Sequence, residues 1–426
     1  DIVSGNRPAD VTVINSCSVT AEADRKCRQL VRRSLKANPD TFVVVTGCYA
    51  QLQPGPLAEM PGVDVVLGMK DKFRLFDVVS TFSKRPRTQV EVSCIEDVSF
   101  FESSESTART RTFVKVQDGC DYSCSFCTIP LARGRSRSDS IGQVIDRVRR
   151  LADSGSKEVV LSGVNLGLFG ADEGASLFDL LVQLDRVEDI GRFRISSIEP
   201  NLLTDEIVDL VAESERIVPH FHVPLQSGDD QVLGHMRRRY RTSTYADRVD
   251  YILKRCPDAC IGADVIVGYP TETDEKFLNT FRFLQQLPIA YLHVFTYSPR
   301  PDTVAEARLS NGEVPPLDRR ESRRRNGALR GLSESKRKAF YESQVGRHSN
   351  VLWEERSQKS LTQSSPAGQM IGHTDNYVKV TSPIRPNRLG TFESVQLVAI
   401  DDSEGVLTVR AEPASYGHAA ATTLTP

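Results

Sequence analysis

From Thr112 onward one pattern recurs six times: a short β-branched run, then a stretch of helical periodicity. The runs are "TFVKVQDG", "KEVVLSGVN", "RFRISSIEP", "PHFHVPLQ", "CIGADVIVGYP" and "AYLHVFTYSP", and patterns such as "IGQVIDRVRRLADSG" and "DEKFLNTFRFLQQL" lie between them. Strands separated by crossover helices pair in parallel and need those helices to cover them. Six such units predict an α/β domain whose sheet is doubly wound or curved into an incomplete barrel. In a barrel the chemistry collects at the C-terminal ends of the strands.

That position is occupied here by "QDGCDYSCSFCTIPLARGRSRS", in which Cys120, Cys124 and Cys127 stand at C-x3-C-x2-C spacing just after the first strand. A structural zinc site wants four closed ligands, and no second pair lies nearby. A redox disulfide uses two thiols and leaves the third idle. A four-iron cluster on three thiolates leaves one iron open to a small-molecule ligand, so it uses every cysteine. Mere burial of three cysteines in a core suits this Gly- and Ser-interrupted loop poorly. Arg133, Arg135 and Arg137 follow directly; a charge run is usually a solvated face, but cations among Gly and Ser beside such a loop also suit phosphate contacts.

The flanking segments differ. Residues 1–83 alternate "VTVIN", "FVVVTG" and "VDVVLG" with a basic helical stretch over 21–37 and a helix read in "DKFRLFDVVSTF", a small α/β domain. Residues 84–110 turn polar and Ser-rich and read as a linker. The β-α repeats and the basic stretch after them occupy 111–342. Residues 343–412 hold the short alternating runs "HSNVLWEE", "NYVKVTS", "ESVQLVAID" and "GVLTVRAE", which predict a small β-barrel, and 413–426 read as a tail. Across 426 residues the net charge is −2, so a polyanionic partner must be held by local basic patches. The nine cysteines form no dense disulfide framework, and no apolar run approaches membrane-spanning length; a cytoplasmic setting is expected.

The C-x3-C-x2-C loop after the first barrel strand, with Phe126 before its third cysteine, resembles the radical S-adenosylmethionine superfamily. The resemblance implies a [4Fe-4S] cluster on Cys120, Cys124 and Cys127 whose open iron binds S-adenosylmethionine, reductive cleavage to a 5′-deoxyadenosyl radical, and Phe126 near the adenine. "ADVTVINSCSVTAEADRKCRQ" and "VVVTGCYAQ" further resemble the methylthiotransferases, which carry a second [4Fe-4S] cluster in an N-terminal domain. Matched by position, Cys17 and Cys48 are two of its ligands. The family's third ligand lies in a G-C-x-x-N-like turn upstream of Cys17 that this sequence does not contain; because Asp1 already sits within the domain, the resemblance implies a chain shortened at its start. Cys27 reads as an ordinary helix residue, and Cys94, Cys256 and Cys260 receive no role.

Further cofactor contacts follow from the resemblance and from turn chemistry: Gly163 and Asn165 in "SGVN", Glu199 in "SSIEP", Gln226 in "HVPLQSG" and Gly268 in "DVIVGYPTET". His220 and His222 read as structural histidines. The C-terminal barrel looks like the TRAM RNA-binding module. "LARGRSRS" looks most like the branch that acts on threonylcarbamoyladenosine in tRNA, giving its 2-methylthio derivative at position 37. Isopentenyladenosine in tRNA and a ribosomal-protein aspartate are the other substrates of the family, and a zinc-stapled, non-catalytic RNA-binding protein is the alternative from another class. The expected partners are the tRNA anticodon stem-loop and an electron donor such as flavodoxin or ferredoxin.

Overall fold

Short β-branched runs stand side by side in parallel throughout the first two thirds of the chain, as crossover topology demands. In a computed structural model, residues 3, 7–98, 110–172, 174–315, 318–354, 368–402 and 407–413 are described. The first sheet has order β1-β2-β3-β4, with β1 Val11–Ser16, β2 Phe42–Gly47, β3 Val65–Leu67 and β4 Gln89–Glu91, all parallel. Strand β2 is buried along its whole length, as expected of a central parallel strand. The basic helix Ala21–Ala37 is capped by Thr20, whose hydroxyl accepts from Ala23 N, and turns Cys27 and Val31 into the core. Cys27 is thus a packing residue, and burial pushes its thiol up to about 11.

The central domain is an incomplete barrel built in two halves. Strands β5 Arg111–Lys115, β8 Glu158–Ser162 and β9 Arg192–Ile195 form one parallel sheet, and β10 His220–His222, β11 Cys260–Val267 and β12 Tyr291–Thr296 form the other. Parallel bridges Phe193–Ile217 and Ser197–His222 join the halves. A small antiparallel pair, β6 Gln117–Asp118 and β7 Arg137–Ser138, closes the base of the cysteine loop. One large apolar cluster lies between strands and outer helices.

The edge of β12 is covered by the 26-residue helix Arg319–Gln344. On it Ser333 Oγ accepts from Leu292 N and donates to Leu292 O, standing in for the backbone of a missing seventh strand. Arg325 anchors the same helix through a buried ion pair to Glu272 and a second pair to the exposed Asp274. The basic stretch is therefore partly structural.

The helix leads into a closed barrel of order β13-β14-β15-β17-β16: β13 His348–Trp353, β14 Gln369–Thr374, β15 Lys379–Pro383, β16 Phe392–Asp401 and β17 Thr408–Pro413. It docks under the central domain through a buried ionic knot. Glu158, fully buried, pairs with Arg192 (3.2 Å) and Arg194 (3.0 Å). Both arginines then donate to C-terminal carbonyls: Arg192 to His373 and Asn350, Arg194 to Asp375. Burial pushes the Glu158 carboxyl up, but Arg194 and Arg192 outweigh it and hold it at about 2.

Three sequence expectations are corrected. The linker of 84–110 contributes β4, because "QVE" offers an edge strand one β-branched residue flanked by polar ones; residues 99–109 lie outside the described residues. The helix read in "DKFRLFDVVSTF" shrinks to Leu75–Val78, which has no side-chain cap and leaves Phe73 and Phe76 exposed. The C-terminal barrel has a fifth strand, β14, whose "QMIGHT" carries too little alternation to be read as one. The predicted tail lies almost wholly outside the described residues.

Candidate functional site

Gly119 starts the loop in the left-handed region (φ 71), and a Cβ there would sit 1.8 Å from Arg135 O, so only glycine fits. Cys120 N then donates to Gly134 O, which folds the loop onto the segment that follows it. Buried Gln117 fastens the loop to the next strand end. Its Oε1 accepts from Val164 N and Asn165 N (both 2.9 Å), and its Nε2 donates to Asp118 O, Gly119 O and Ser136 Oγ. Gly163 is required by this arrangement, since a Cβ would meet Gln117 Oε1 at 2.8 Å. Ser125 fixes the loop's other side through Met236 O, His235 O and Tyr269 Oη.

Each sulfur accepts a hydrogen bond. Tyr122 N reaches Cys120 (3.4 Å), Ile129 N reaches Cys127 (3.4 Å), and the Arg238 guanidinium reaches Cys124 (3.2 Å). The three are free thiols, half-buried, and burial raises the pKa of all three, that of Cys127 to about 12. Such thiols stay neutral at ordinary pH unless a metal supplies the compensating charge, and N–H donors at each sulfur are the surroundings an iron–sulfur cluster uses.

The polar groups nearby suit a zwitterionic ligand. Asn165 Nδ2 lies 3.9 Å from Cys120 Sγ, while its buried Oδ1 has no partner among the described residues. Arg238 pairs with Glu199, whose carboxyl burial pushes up against the pull of that arginine. Gln226 holds φ 68 and lines a cavity of about 240 Å³ with Phe126, Cys127, Asp264 and Ile266. Phe126 meets Tyr269 edge-on at 6.5 Å. Gly268 (φ 77) donates its N–H to Glu272. The sequence reading missed Arg238, although "MRRRYR" after the short helix Asp230–His235 is a basic run of the same kind as "RGRSR".

The three arginines after the cysteines part company. Arg133 pairs with Asp118 (3.0 Å) and donates to Cys48 Sγ (3.4 Å); Arg137 also pairs with Asp118 and donates to Arg133 O. Burial pushes Asp118 up, but Arg133, Lys115 and Arg137 together hold it below its usual range. Arg135 alone of the three is exposed, on a groove of about 760 Å³ that runs past Cys120, Asp121 and Tyr122. Arg133 and Arg137 are half-buried and share one buried carboxylate, which ties them to the loop, whereas Arg135 is free to reach outward.

In the first domain β1 and β2 are in register with Ser16 opposite Gly47, so Cys17 and Cys48 follow directly at adjacent C-terminal strand ends. Cys17 is exposed and Cys48 buried. Arg300 ties this edge to the central domain through Ser18 (2.7 Å) and Asp24 (2.6 Å). Cys94 is exposed, and Cys256 and Cys260 are buried away from both sets.

A six-stranded incomplete barrel with a C-x3-C-x2-C loop on its first strand end defines a radical S-adenosylmethionine enzyme. The profile of the Radical SAM superfamily matches residues 114–284, and that of Uncharacterized protein family UPF0004 matches residues 1–68. The fold is shared with the radical S-adenosylmethionine methyltransferase TsrM from Kitasatospora setae, solved with cobalamin and a [4Fe-4S] cluster bound (TM-score 0.55, 15% identity, 72% of this chain and 67% of that one).

The chain belongs to the methylthiotransferase family of these enzymes. It is 38% identical to the threonylcarbamoyladenosine tRNA methylthiotransferase MtaB of Bacillus subtilis (strain 168), over 92% of this chain and 86% of that protein. It is 39% identical to the protein of the same description from Aquifex aeolicus (strain VF5), over 83% and 85%. S-adenosylmethionine and [4Fe-4S] clusters are the cofactors of this family, and the donor set at Cys120, Cys124 and Cys127 fits one such cluster. Among the described residues, no helix is long and apolar enough to cross a membrane.

Proposed function

We propose that this enzyme replaces the hydrogen at C2 of threonylcarbamoyladenosine, at position 37 of the tRNA anticodon loop, with a methylthio group. The observation that carries the substrate is the identity to relatives described as threonylcarbamoyladenosine tRNA methylthiotransferases along most of both chains. When bound, the cluster and S-adenosylmethionine supply the one-electron chemistry that an unactivated aromatic C–H requires.

The chain's own groups do the positioning. Cys120, Cys124 and Cys127 hold the first cluster, with N–H donors at each sulfur stabilising its charge. Asn165 and the Arg238–Glu199 pair would hold the charged methionyl end of the cofactor, and Phe126 and Gln226, with the Gly268 turn, would bind its adenosine. Cys17 and Cys48 contribute to the second cluster, and Arg133 holds Cys48 against the first loop. Arg135 and the C-terminal barrel meet RNA phosphates. The setting is the cytoplasm, with flavodoxin or ferredoxin as electron source.

The test is anaerobic incubation of the reconstituted enzyme with S-adenosylmethionine, a reductant and an anticodon stem-loop carrying threonylcarbamoyladenosine, followed by mass spectrometry of the nucleosides. The 2-methylthio derivative is expected. Turnover of an isopentenyladenosine stem-loop or of the ribosomal-protein aspartate in its place would overturn the assignment.

A further inference from the structure

In the second half of the barrel three polar side chains meet where a parallel barrel usually layers branched apolar ones. Strands β10, β11 and β12 are parallel neighbours, with His222 opposite Gly262 and Asp264 opposite His293. Alternation along β11 puts Gly262 and Asp264 on one face, so the two histidines flank the carboxylate from either side. His222 Nε2 lies 2.9 Å from Asp264 Oδ1, and His293 Nδ1 lies 3.3 Å from the same oxygen. Each of the three offers one ligand atom, and these atoms all lie within 4.8 Å of one another.

The cluster is supported from behind. Tyr291 Oη stands 3.5 Å from His222 Nδ1, the ring nitrogen turned away from Asp264, and 3.0 Å from His220 Nε2. Gly262 leaves room for that tyrosine, since a Cβ there would stand 2.1 Å from its ring. A hydroxyl at the second nitrogen is the kind of partner that sets the orientation and tautomer of a metal-binding imidazole.

Charge points the same way. The carboxylates Asp118, Glu158, Glu199 and Glu272 of this domain each face an arginine. Asp264, whose side chain is 21% exposed, pairs only with the two imidazoles among the described residues. A neutral imidazole donates a hydrogen bond but brings no charge, and a carboxylate taken out of water needs a cation or a metal. Two nitrogens and one oxygen suit zinc or ferrous iron, whereas magnesium and calcium want oxygen throughout. Ligands about 2.0–2.1 Å from such an ion stand roughly 3–3.5 Å from each other, the spacing found on either side of Asp264.

We propose that His222, Asp264 and His293 bind a divalent first-row transition ion, zinc or ferrous iron, at a site that uses none of the cysteines. The proposal is independent of the substrate reading above. The ion clamps three neighbouring strands together, and because Asp264 also lines the cavity of Phe126 and Cys127, it braces a wall of that cavity. Three protein ligands leave a further coordination position for water.

The experiment uses the reconstituted enzyme, exposed to a slight excess of zinc and then desalted. A [4Fe-4S] cluster holds equal iron and sulfide, so iron plus zinc in excess over acid-labile sulfide counts the metal held elsewhere. Wild type is expected to carry one equivalent more of this excess than His293→Ala or Asp264→Asn. The His293 side chain is 50% exposed, so its loss leaves the fold standing, which thermal melting and an unchanged sulfide content verify. Calorimetric titration with zinc should show one site in wild type that weakens at least about tenfold in either variant. X-ray absorption at the zinc edge should show an imidazole contribution in wild type that is lost in His293→Ala. Equal excess metal in wild type and both variants, or a zinc spectrum of sulfur ligands that neither substitution alters, overturns the proposal.

Discussion

Replacing Glu158 by Gln should loosen the C-terminal barrel from the domain that carries the chemistry. The carboxylate holds Arg192 and Arg194, all three essentially buried, and both arginines donate onward to carbonyls of the C-terminal barrel. Two routes give the size of the effect. Removing one partner of a buried ion pair costs about 3–5 kcal/mol. Holding the carboxyl at about 2 rather than 4.5 corresponds to about 3 kcal/mol of coupling between charge and fold. The chain has one tryptophan, Trp353, fully buried in the C-terminal barrel and donating to Glu393, so its fluorescence reports this domain alone. In urea the Trp353 transition of Glu158→Gln should show a loss of about 3 kcal/mol. The sign with pH follows. The folded-state value lies below the unfolded one, so this stabilisation is complete above about pH 4.5 and is lost as pH falls towards 2, in wild type only. A Trp353 transition unmoved by the substitution, within about 0.5 kcal/mol, would refute the reasoning.

Three further outcomes are expected. Gly119→Ala forces a Cβ into Arg135 O at an unfavourable φ, so it should lower stability by about 1–3 kcal/mol and reduce iron retention, read by melting and iron analysis. Cys124→Ala should abolish iron binding at the barrel site and product formation, while circular dichroism stays close to wild type because Cys124 is not part of the apolar core. Arg238→Met strands the buried Glu199, so cofactor affinity should fall at least about tenfold by calorimetry, and Glu199→Gln on that background should recover stability.

The parallel barrel and its cysteine loop were legible because both are local patterns: β-branched runs at regular intervals, and three thiols within eight residues. Cys17 and Cys48 were legible only through resemblance, because what unites them is the β1–β2 register, a contact 31 positions apart. The structural partner of Arg133 was hidden for a different reason. From the sequence Arg133 reads as a phosphate contact, and its pairing with Asp118 is set only when the fold buries that carboxylate beneath it. Arg238 stayed hidden because its meaning lies in pairings across the barrel, with Cys124 and Glu199, which no periodicity encodes.

The helix Arg319–Gln344 is about 39 Å long at 1.5 Å per residue. Stitched to β12 by Ser333 at its middle and leading into the C-terminal barrel at its end, it works as a measuring rod. With RNA held by the C-terminal barrel, as proposed, only the nucleotide one fixed reach away would meet the site, so the choice of which adenosine reacts would be made by distance before any base is inspected.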